Sequence, residues 1–488
     1  MTGPPDRILV AETSPVEGLP RRQLRGLPVL AQAVAAIAPT GTACVTPALV
    51  IASVGGAGAI WAFICATVVI ALVSECLRPM ARRMAAVGGL YSYTARGLGP
   101  GIAVPTGWSA ILGYATVGMV GLIAVGAYLV HIAVALGISA ESPIAAVAGI
   151  AAAAGLLASL IMIRGIRISA IVALFTECVS IVIVVAMLIV LITRHPAGAP
   201  IAPALTWNGN LQSWSLGVVV AISAFVGFES PTTLSREAQR PFISVPRAIR
   251  WTPLATAVIY LVAVPVQAVA LADAPGVARE SSTPIVQLLL ADGSTALACI
   301  LDVGIAASFF ACTLASVNAL VRVLFCMGRE GVAPKWFGRT HDRFRTPAWA
   351  IAVSMVVITA VPIIVLMLGA TPEDGLRIFL TLSACGYLGS YLAACMSSPI
   401  LLRRIGESTP AVWYLATITT AALLYLAVTA VVFAVREGSV LLAIYGAVII
   451  TSILFTLALK CFAPARLAAV GIYDETQRAD LLNAGPFR

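Results

Sequence analysis

Apolar residues run along this chain in blocks of about twenty or more, separated by short polar connections over almost its whole length. Each block is long enough to cross a hydrocarbon core of ~30 Å at a helical rise of ~1.5 Å per residue. The pattern predicts twelve spans: Val29–Ser53, Ala59–Leu77, Gly101–Leu136, Ile144–Ile163, Ser169–Ile192, Ser213–Leu234, Thr252–Leu271, Ala296–Phe325, Ala348–Leu368, Leu376–Leu402, Val412–Val435 and Val440–Phe462. The class is an all-α polytopic membrane protein. Residues 29–192 hold a first set of five spans, 213–402 a second set of five, and 412–462 the last two. No connection between spans is long enough to form a soluble domain. Residues 1–28 are polar and proline-rich without an apolar core, so they read as a tail rather than a signal peptide. Residues 463–488 form a second tail. Between spans seven and eight, "STPIVQLLLADG" predicts a short helix on the rim.

Two spans break the pattern. The first contains "APTGTACVTP", with Pro39, Gly41 and Pro47 crowded around three threonines, and the sixth contains "VGFESPTT", with Gly227 and Pro231 around Glu229. Proline removes a backbone donor and clashes with the preceding turn, and glycine weakens the helix further. Lipid cannot satisfy the freed groups, so broken backbone must be buried in protein or line a cavity. Spans one and six each open a set of five, and an odd number of spans inverts the second set relative to the first. Paired broken helices at equivalent places in two inverted halves point to a secondary-transporter binding site.

Composition agrees with the spans and fixes an orientation. The 488 residues are 60% hydrophobic and 10% charged, which a soluble protein of this length could not tolerate. The net charge of +9 would suggest nucleic acid in a soluble protein. Here the basic residues follow topology instead. All of them except Arg194, Arg279, Arg377 and Arg436 fall on one side of the predicted spans, the side of both termini. The positive-inside rule makes that side cytoplasmic. The ten cysteines lie almost entirely inside spans with no Cys-x-x-Cys pair, and they predict neither a metal site nor a disulfide. The three histidines, His131, His195 and His341, are far apart, and no phosphate loop of the Walker type is present. An enzyme and a bound cofactor are therefore not expected.

Three acids lie within spans: Glu177, Glu229 and Asp302. A carboxylate at mid-membrane costs a few kcal/mol or more, so such residues usually face a cavity or carry a proton. Glu229 stands in broken backbone and is the first candidate for coupling or gating. Glu177 lies roughly 12 Å into span five, either as a proton site or as a protonated acid tying two helices together. Asp302, two turns from the outer end of span eight, either faces an outer vestibule or reaches the solvated interface. At the first break, Thr40, Gly41 and Thr42 offer two hydroxyls and free amides at the positive end of a half-helix, suited to a substrate carboxylate. Pro39, Ala43, Phe225, Gly227 and Phe228 flank the two breaks, and Tyr114 is a candidate cavity residue in span three. Ser308, Cys312 and Ser316 form a stripe of small residues with Thr313 beside them, read as a packing seam.

Four stretches carry a family likeness. "GGLYSYTARGLGPGIAVPTGW" (Gly88–Trp108), "GFES" followed by "SREAQRPFISVPRAI" (Ser235–Ile249), "NALVRVLFCMGREGVAP" (Asn318–Pro334) and "APTGTA" occur in the order found in that family. Together they make the chain resemble the amino acid–polyamine–organocation superfamily of permeases across all twelve spans. The resemblance implies a leucine-transporter-type fold of two inverted five-helix repeats plus two helices. It implies that the broken first span holds an amino acid's carboxylate and ammonium through backbone groups, and that Glu229 belongs to the gating and coupling region. The usual Gly-Ser/Thr-Gly pattern is here Thr40-Gly41-Thr42. Span five has Glu177 and no lysine, so the lysine-based proton mechanism of some relatives does not carry over.

The expectation is a secondary active importer of amino acids in the plasma or inner membrane, proton-coupled, with both termini cytoplasmic. Its partners are the amino acid or related amine, the proton and membrane lipid, with sodium left open and nucleic acid not expected. A polyamine importer, an amino acid exchanger and a nutrient sensor that does not transport are the competing readings.

Overall fold

A computed structural model of the chain describes residue 19 and residues 24–138, 142–194, 211–272, 283–436 and 439–473. Both predicted tails lie largely outside these residues. The described residues are helical, with one isolated bridge between Leu24 and Ala238 in place of any strand.

The helices are α1 (Gly26–Ile37), α2 (Pro39–Ala81), α3 (Leu90–Gly97), α4 (Pro100–Ala135), α5 (Pro143–Arg164), α6 (Ile166–Arg194), α7 (Leu211–Ser223), α8 (Pro241–Ala272), α9 (Pro284–Ala291), α10 (Thr295–Arg329), α11 (Ala348–Met367), α12 (Pro372–Arg404), α13 (Pro410–Arg436), α14 (Val440–Phe462) and α15 (Pro464–Ala468). The predicted rim helix is α9. Short 3-10 turns cover Ser230–Leu234 and Lys335–Gly338.

Ten helical runs among the described residues are long and apolar enough to cross a membrane, against the twelve spans expected. The difference arises at two places. Gly26–Ala81 counts as one run of 56 residues, far longer than a single crossing of ~30 Å requires. Inside it Gly55 takes φ 77° and ψ 170°, which divides α2 into Pro39–Val54 and a second arm ending at Ala81. The other place is the sixth span, where α7 is only 13 residues long because the helix stops at Ser223.

Packing explains which helices can carry polar residues. The most apolar stretch of α4 is 72% buried and that of α10 67%, whereas α13 and α14 reach only 17% and 11%. The central pair therefore sees protein on nearly every side. α4 packs on α10 and α12, α2 on α7 and α8, and α6 on α10 and α1. Close approach is built into these crossings: a Cβ at Gly121 would stand 2.1 Å from the Thr313 hydroxyl, and one at Gly386 2.6 Å from the Gly113 nitrogen.

Candidate functional site

The two interrupted helices meet at their interruptions. In the first, α1 ends at Ile37 and Ala38 swings into the left-handed region (φ 51°, ψ 58°) before Pro39 restarts the helix. For a residue with a Cβ this conformation costs about 1–2 kcal/mol, and it persists only where the surroundings fix it. The break thus falls one residue before the predicted Pro39–Gly41 segment. Gly41 and Pro47 both lie in helical backbone. In the sixth span, helix gives way after Ser223 to turns that end in the 3-10 segment at Ser230. Gly227 sits at φ +95°, and a Cβ there would come within 2.8 Å of the Ala36 carbonyl oxygen. Glycine is required at this point by both conformation and contact.

Side chains tie the breaks together. Tyr260 of α8 reaches both, its hydroxyl 2.7 Å from the Ala224 carbonyl and 2.5 Å from Thr42 Oγ1. Ser230 Oγ donates to the Gln32 carbonyl at 3.3 Å, and Gln32 Nε2 donates to the Ala315 carbonyl at 2.7 Å. Gln267 Nε2 donates to the Ala43 carbonyl at 2.6 Å, and the Cys312 thiol donates to the Ala36 carbonyl at 3.2 Å. At Ala36 and Ala224, which stand at the breaks, these donors replace bonds that an unbroken helix would have made internally. The rings of Phe225 and Tyr260 meet edge to face at 5.0 Å.

Glu229 is fully buried beside the second break. Tyr114 of α4 donates to Oε1 at 2.9 Å and Tyr391 of α12 to Oε2 at 2.5 Å. The Tyr114 ring stands edge-on to Tyr387, 5.3 Å away, and Phe228 packs against Tyr391 at 5.8 Å. The Tyr387 hydroxyl is buried without a partner among the described residues. A shallow apolar groove between α7, α12 and α13 is lined by Val226, Leu426, Tyr387 and Tyr391.

Glu177 of α6 occupies the first break. Ser308 Oγ lies 3.0 Å from both of its carboxyl oxygens, and the Gly41 amide donates to the same hydroxyl at 3.4 Å. The Thr40 backbone faces this carboxyl as well, while the Thr40 hydroxyl is buried with no partner among the described residues. Ser308 and Cys312 therefore do more than fill a packing seam, because each makes a polar contact to a broken helix or to the acid beside it. Among the described residues no Lys, Arg or His pairs with Glu177, Glu229 or Asp302.

The breaks bring together Pro39, Thr40, Gly41, Thr42, Ala43, Tyr114, Phe225, Gly227, Phe228, Glu229 and Glu177. Asp302 stands apart, nearly two turns before Ser308 on α10. It is 1% exposed, with Oδ1 unpartnered, so it does not reach the solvated interface.

On the arginine-rich face the region beneath the breaks is closed by an ion pair. Arg322 Nε lies 2.6 Å from Glu237 Oε1 and its Nη2 3.2 Å from Oε2. Both side chains are almost wholly buried. The segment before α1 seals the same place: the Leu24 amide donates to the Glu237 carbonyl at 2.9 Å and the Gln239 amide to the Leu24 carbonyl at 2.8 Å. Tyr260, Tyr391, Glu237 and Arg322 are absent from the expected site. The last two lie in the stretches "SREAQRP" and "NALVRV" that carry the family likeness, but nothing in a single sequence pairs them.

The family profile for amino acid permeases matches residues 28–459, nearly the whole chain. The chain belongs to the amino acid permease family. It is therefore a multi-pass membrane protein of a transporter family. Among relatives, it is 27% identical to the branched-chain amino acid permease BcaP of Lactococcus lactis, over 64% of this chain and 70% of that protein. It is 28% identical to the D-serine/D-alanine/glycine transporter of Escherichia coli over 36% of this chain, covering 38% of the relative's length. It is 24% identical to the low-affinity putrescine importer PlaP of Escherichia coli over 56% of this chain and 60% of that protein. These permeases are similar to the chain in sequence and differ among themselves in what they carry.

Proposed function

We propose that the permease imports an amino acid across the plasma membrane, driven by protons, by alternating access around the two breaks. In this reading twelve crossings form two inverted sets of five followed by α13 and α14. The second arm of α2 and the broken sixth span supply the two crossings that length alone does not count. The arginine-rich face is cytoplasmic, as the charge asymmetry favours.

One observation carries the reading. Glu229 is buried at a helix break, with each carboxyl oxygen met by a tyrosine hydroxyl and no cation paired with it among the described residues. A buried charge without a counter-ion is costly, whereas a neutral acid can keep its hydrogen bonds. Such a group suits reversible uptake of a proton, and its two tyrosines come from helices outside the broken pair. Protonation would then alter contacts between the break and α4 and α12. Glu177 is the second candidate, linked through Ser308 to the Gly41 amide.

A second reading follows from the same residues. The Gly41 amide is directed at Ser308, and Glu177 sits at the half-helix end where a substrate carboxylate would bind. Acids without basic partners favour a cationic amine, and the likeness to a putrescine importer supports that class. Uptake by proteoliposomes separates the two: accumulation of labelled leucine driven by an inward proton gradient supports the amino acid reading. Accumulation of putrescine alone supports the amine reading, and binding without accumulation of either removes transport.

A further inference from the structure

The arginine-rich face contains a cavity of about 120 Å³ that has no part in the site at the breaks. It opens between the α5–α6 corner and the segment leading into α11. Its walls carry Arg164, Arg167 and Arg345, and its floor is the Glu237–Arg322 ion pair. The positive-inside rule accounts for scattered basic residues on this face. It does not account for three arginines lining one concave space. None of the three has a hydrogen-bond or ion-pair partner on its side chain among the described residues. The one acid lining the cavity, Glu237, is already held bidentately by Arg322.

The walls are fixed rather than loose. Gly165 makes the corner at φ +139°, and Thr346 Oγ1 donates to the Ile163 carbonyl at 2.8 Å, fastening the 344–347 segment to the end of α5. Arg345 is held in the left-handed region at φ 50°, a conformation that a residue with a side chain adopts only under local constraint. Ile168 of the cavity lining is exposed, as is Trp349 two residues beyond Pro347, as interfacial residues at a membrane edge would be. Planar guanidinium forks bind phosphate oxygens bidentately, and basic pockets at the ends of transmembrane helices accept headgroups.

We propose that this cavity binds a phosphoryl group, presented by an anionic phospholipid headgroup or by a soluble phosphate, and thereby ties the α5–α6 corner to the segment before α11. The bound anion would neutralise three like charges and brace the ground on which the Glu237–Arg322 pair stands. The site makes no use of the transport reading and is tested without a transport assay.

The test uses the purified full-length chain. Its melting midpoint is followed while inorganic phosphate is titrated against chloride at matched ionic strength. The same midpoint is then compared between nanodiscs of phosphatidylcholine alone and nanodiscs containing phosphatidylglycerol. A ligand that binds the folded state raises the midpoint saturably. The comparison variants are Arg164→Gln/Arg167→Gln/Arg345→Gln and a charge-matched control, Arg82→Gln/Arg403→Gln/Lys460→Gln. We expect stabilisation by phosphate, by phosphatidylglycerol, or by both, and a loss of affinity on the order of tenfold in the cavity variant but not in the control. Phosphate alone identifies a soluble ligand and phosphatidylglycerol alone a headgroup. Equal stabilisation by chloride, no stabilisation by either anion, or equal loss in the control variant overturns the proposal. Should the triple variant not purify, Arg167→Gln must by itself weaken the response several-fold for the proposal to stand.

Discussion

Removing the Tyr260 hydroxyl should uncouple the two helix breaks. In Tyr260→Phe the ring keeps its contacts with Phe63 at 5.9 Å and Phe225 at 5.0 Å, so no cavity forms. What disappears is the donor to the Ala224 carbonyl and the partner of Thr42 Oγ1. Leaving a buried carbonyl without its donor costs about 1–3 kcal/mol. Thr42 suffers less, because its hydroxyl also reaches the Ala38 carbonyl at 2.8 Å. The sum is roughly 2 kcal/mol of lost stability. Thr42→Val removes the other half of the bridge and should cost about 1 kcal/mol, since the Ala38 carbonyl keeps the Thr42 amide. Because Tyr260 and Thr42 touch, the double variant should lose less than the two single losses added, by about 0.5–1.5 kcal/mol. Equilibrium unfolding in mixed micelles of the four proteins measures this cycle. Additivity to within about 0.5 kcal/mol would show that Tyr260 and Thr42 act independently, and the bridge between the breaks would be refuted.

Other substitutions probe the remaining contacts. Gly227→Ala places a Cβ 2.8 Å from the Ala36 carbonyl at a positive φ, and should lower stability by about 2–4 kcal/mol; an unchanged melting midpoint would mean the breaks do not press together. Arg322→Ala strands the buried Glu237 carboxylate and should cost about 3–5 kcal/mol, with Arg322→Ala/Glu237→Ala less harmful than the single change. A cycle of unfolding measurements in which the double variant is worse would contradict that pairing. Tyr391→Phe removes one of two tyrosine donors to Glu229 and should slow proton-driven uptake about tenfold, at about 1.4 kcal/mol for a hydrogen bond to an ionisable group. Wild-type uptake in that variant would detach Tyr391 from the mechanism.

Much of the architecture was legible because membrane helices announce themselves by length and hydropathy. Gly227 and Glu229 stood out for a related reason: a lone acid between a glycine and a proline is anomalous in an apolar helix, and such anomalies show in one sequence. The exact first break was not. Proline at position 39 marks it, but Ala38 absorbs the conformation, and no composition rule singles out an alanine for a left-handed turn. Ser308 and Cys312 looked like packing because small polar residues line helix seams in any membrane bundle. Their partners, Glu177 and the Ala36 carbonyl, lie 131 and 276 positions away along the chain. Tyr260 and Tyr391 were invisible for the same cause, since tyrosine in a span is ordinary until its hydroxyl is seen to meet a broken helix. The fate of Asp302 turned on burial, which depends on how α10 packs among its neighbours rather than on depth along its own helix.

The central claim is that Glu229 couples a proton to movement of substrate. Proteoliposomes containing the wild-type permease or Glu229→Gln, loaded at pH 7.5 and diluted to pH 5.5, test it most directly through accumulation of labelled leucine and putrescine. The values of pH are roughly one unit either side of the histidine range, chosen to give an inward proton gradient. The account predicts concentrative uptake of one substrate by the wild type, collapsing when a protonophore is added. It predicts that Glu229→Gln still inserts and binds substrate but no longer accumulates it against a gradient. Gradient-driven accumulation by Glu229→Gln at the wild-type level would contradict the account.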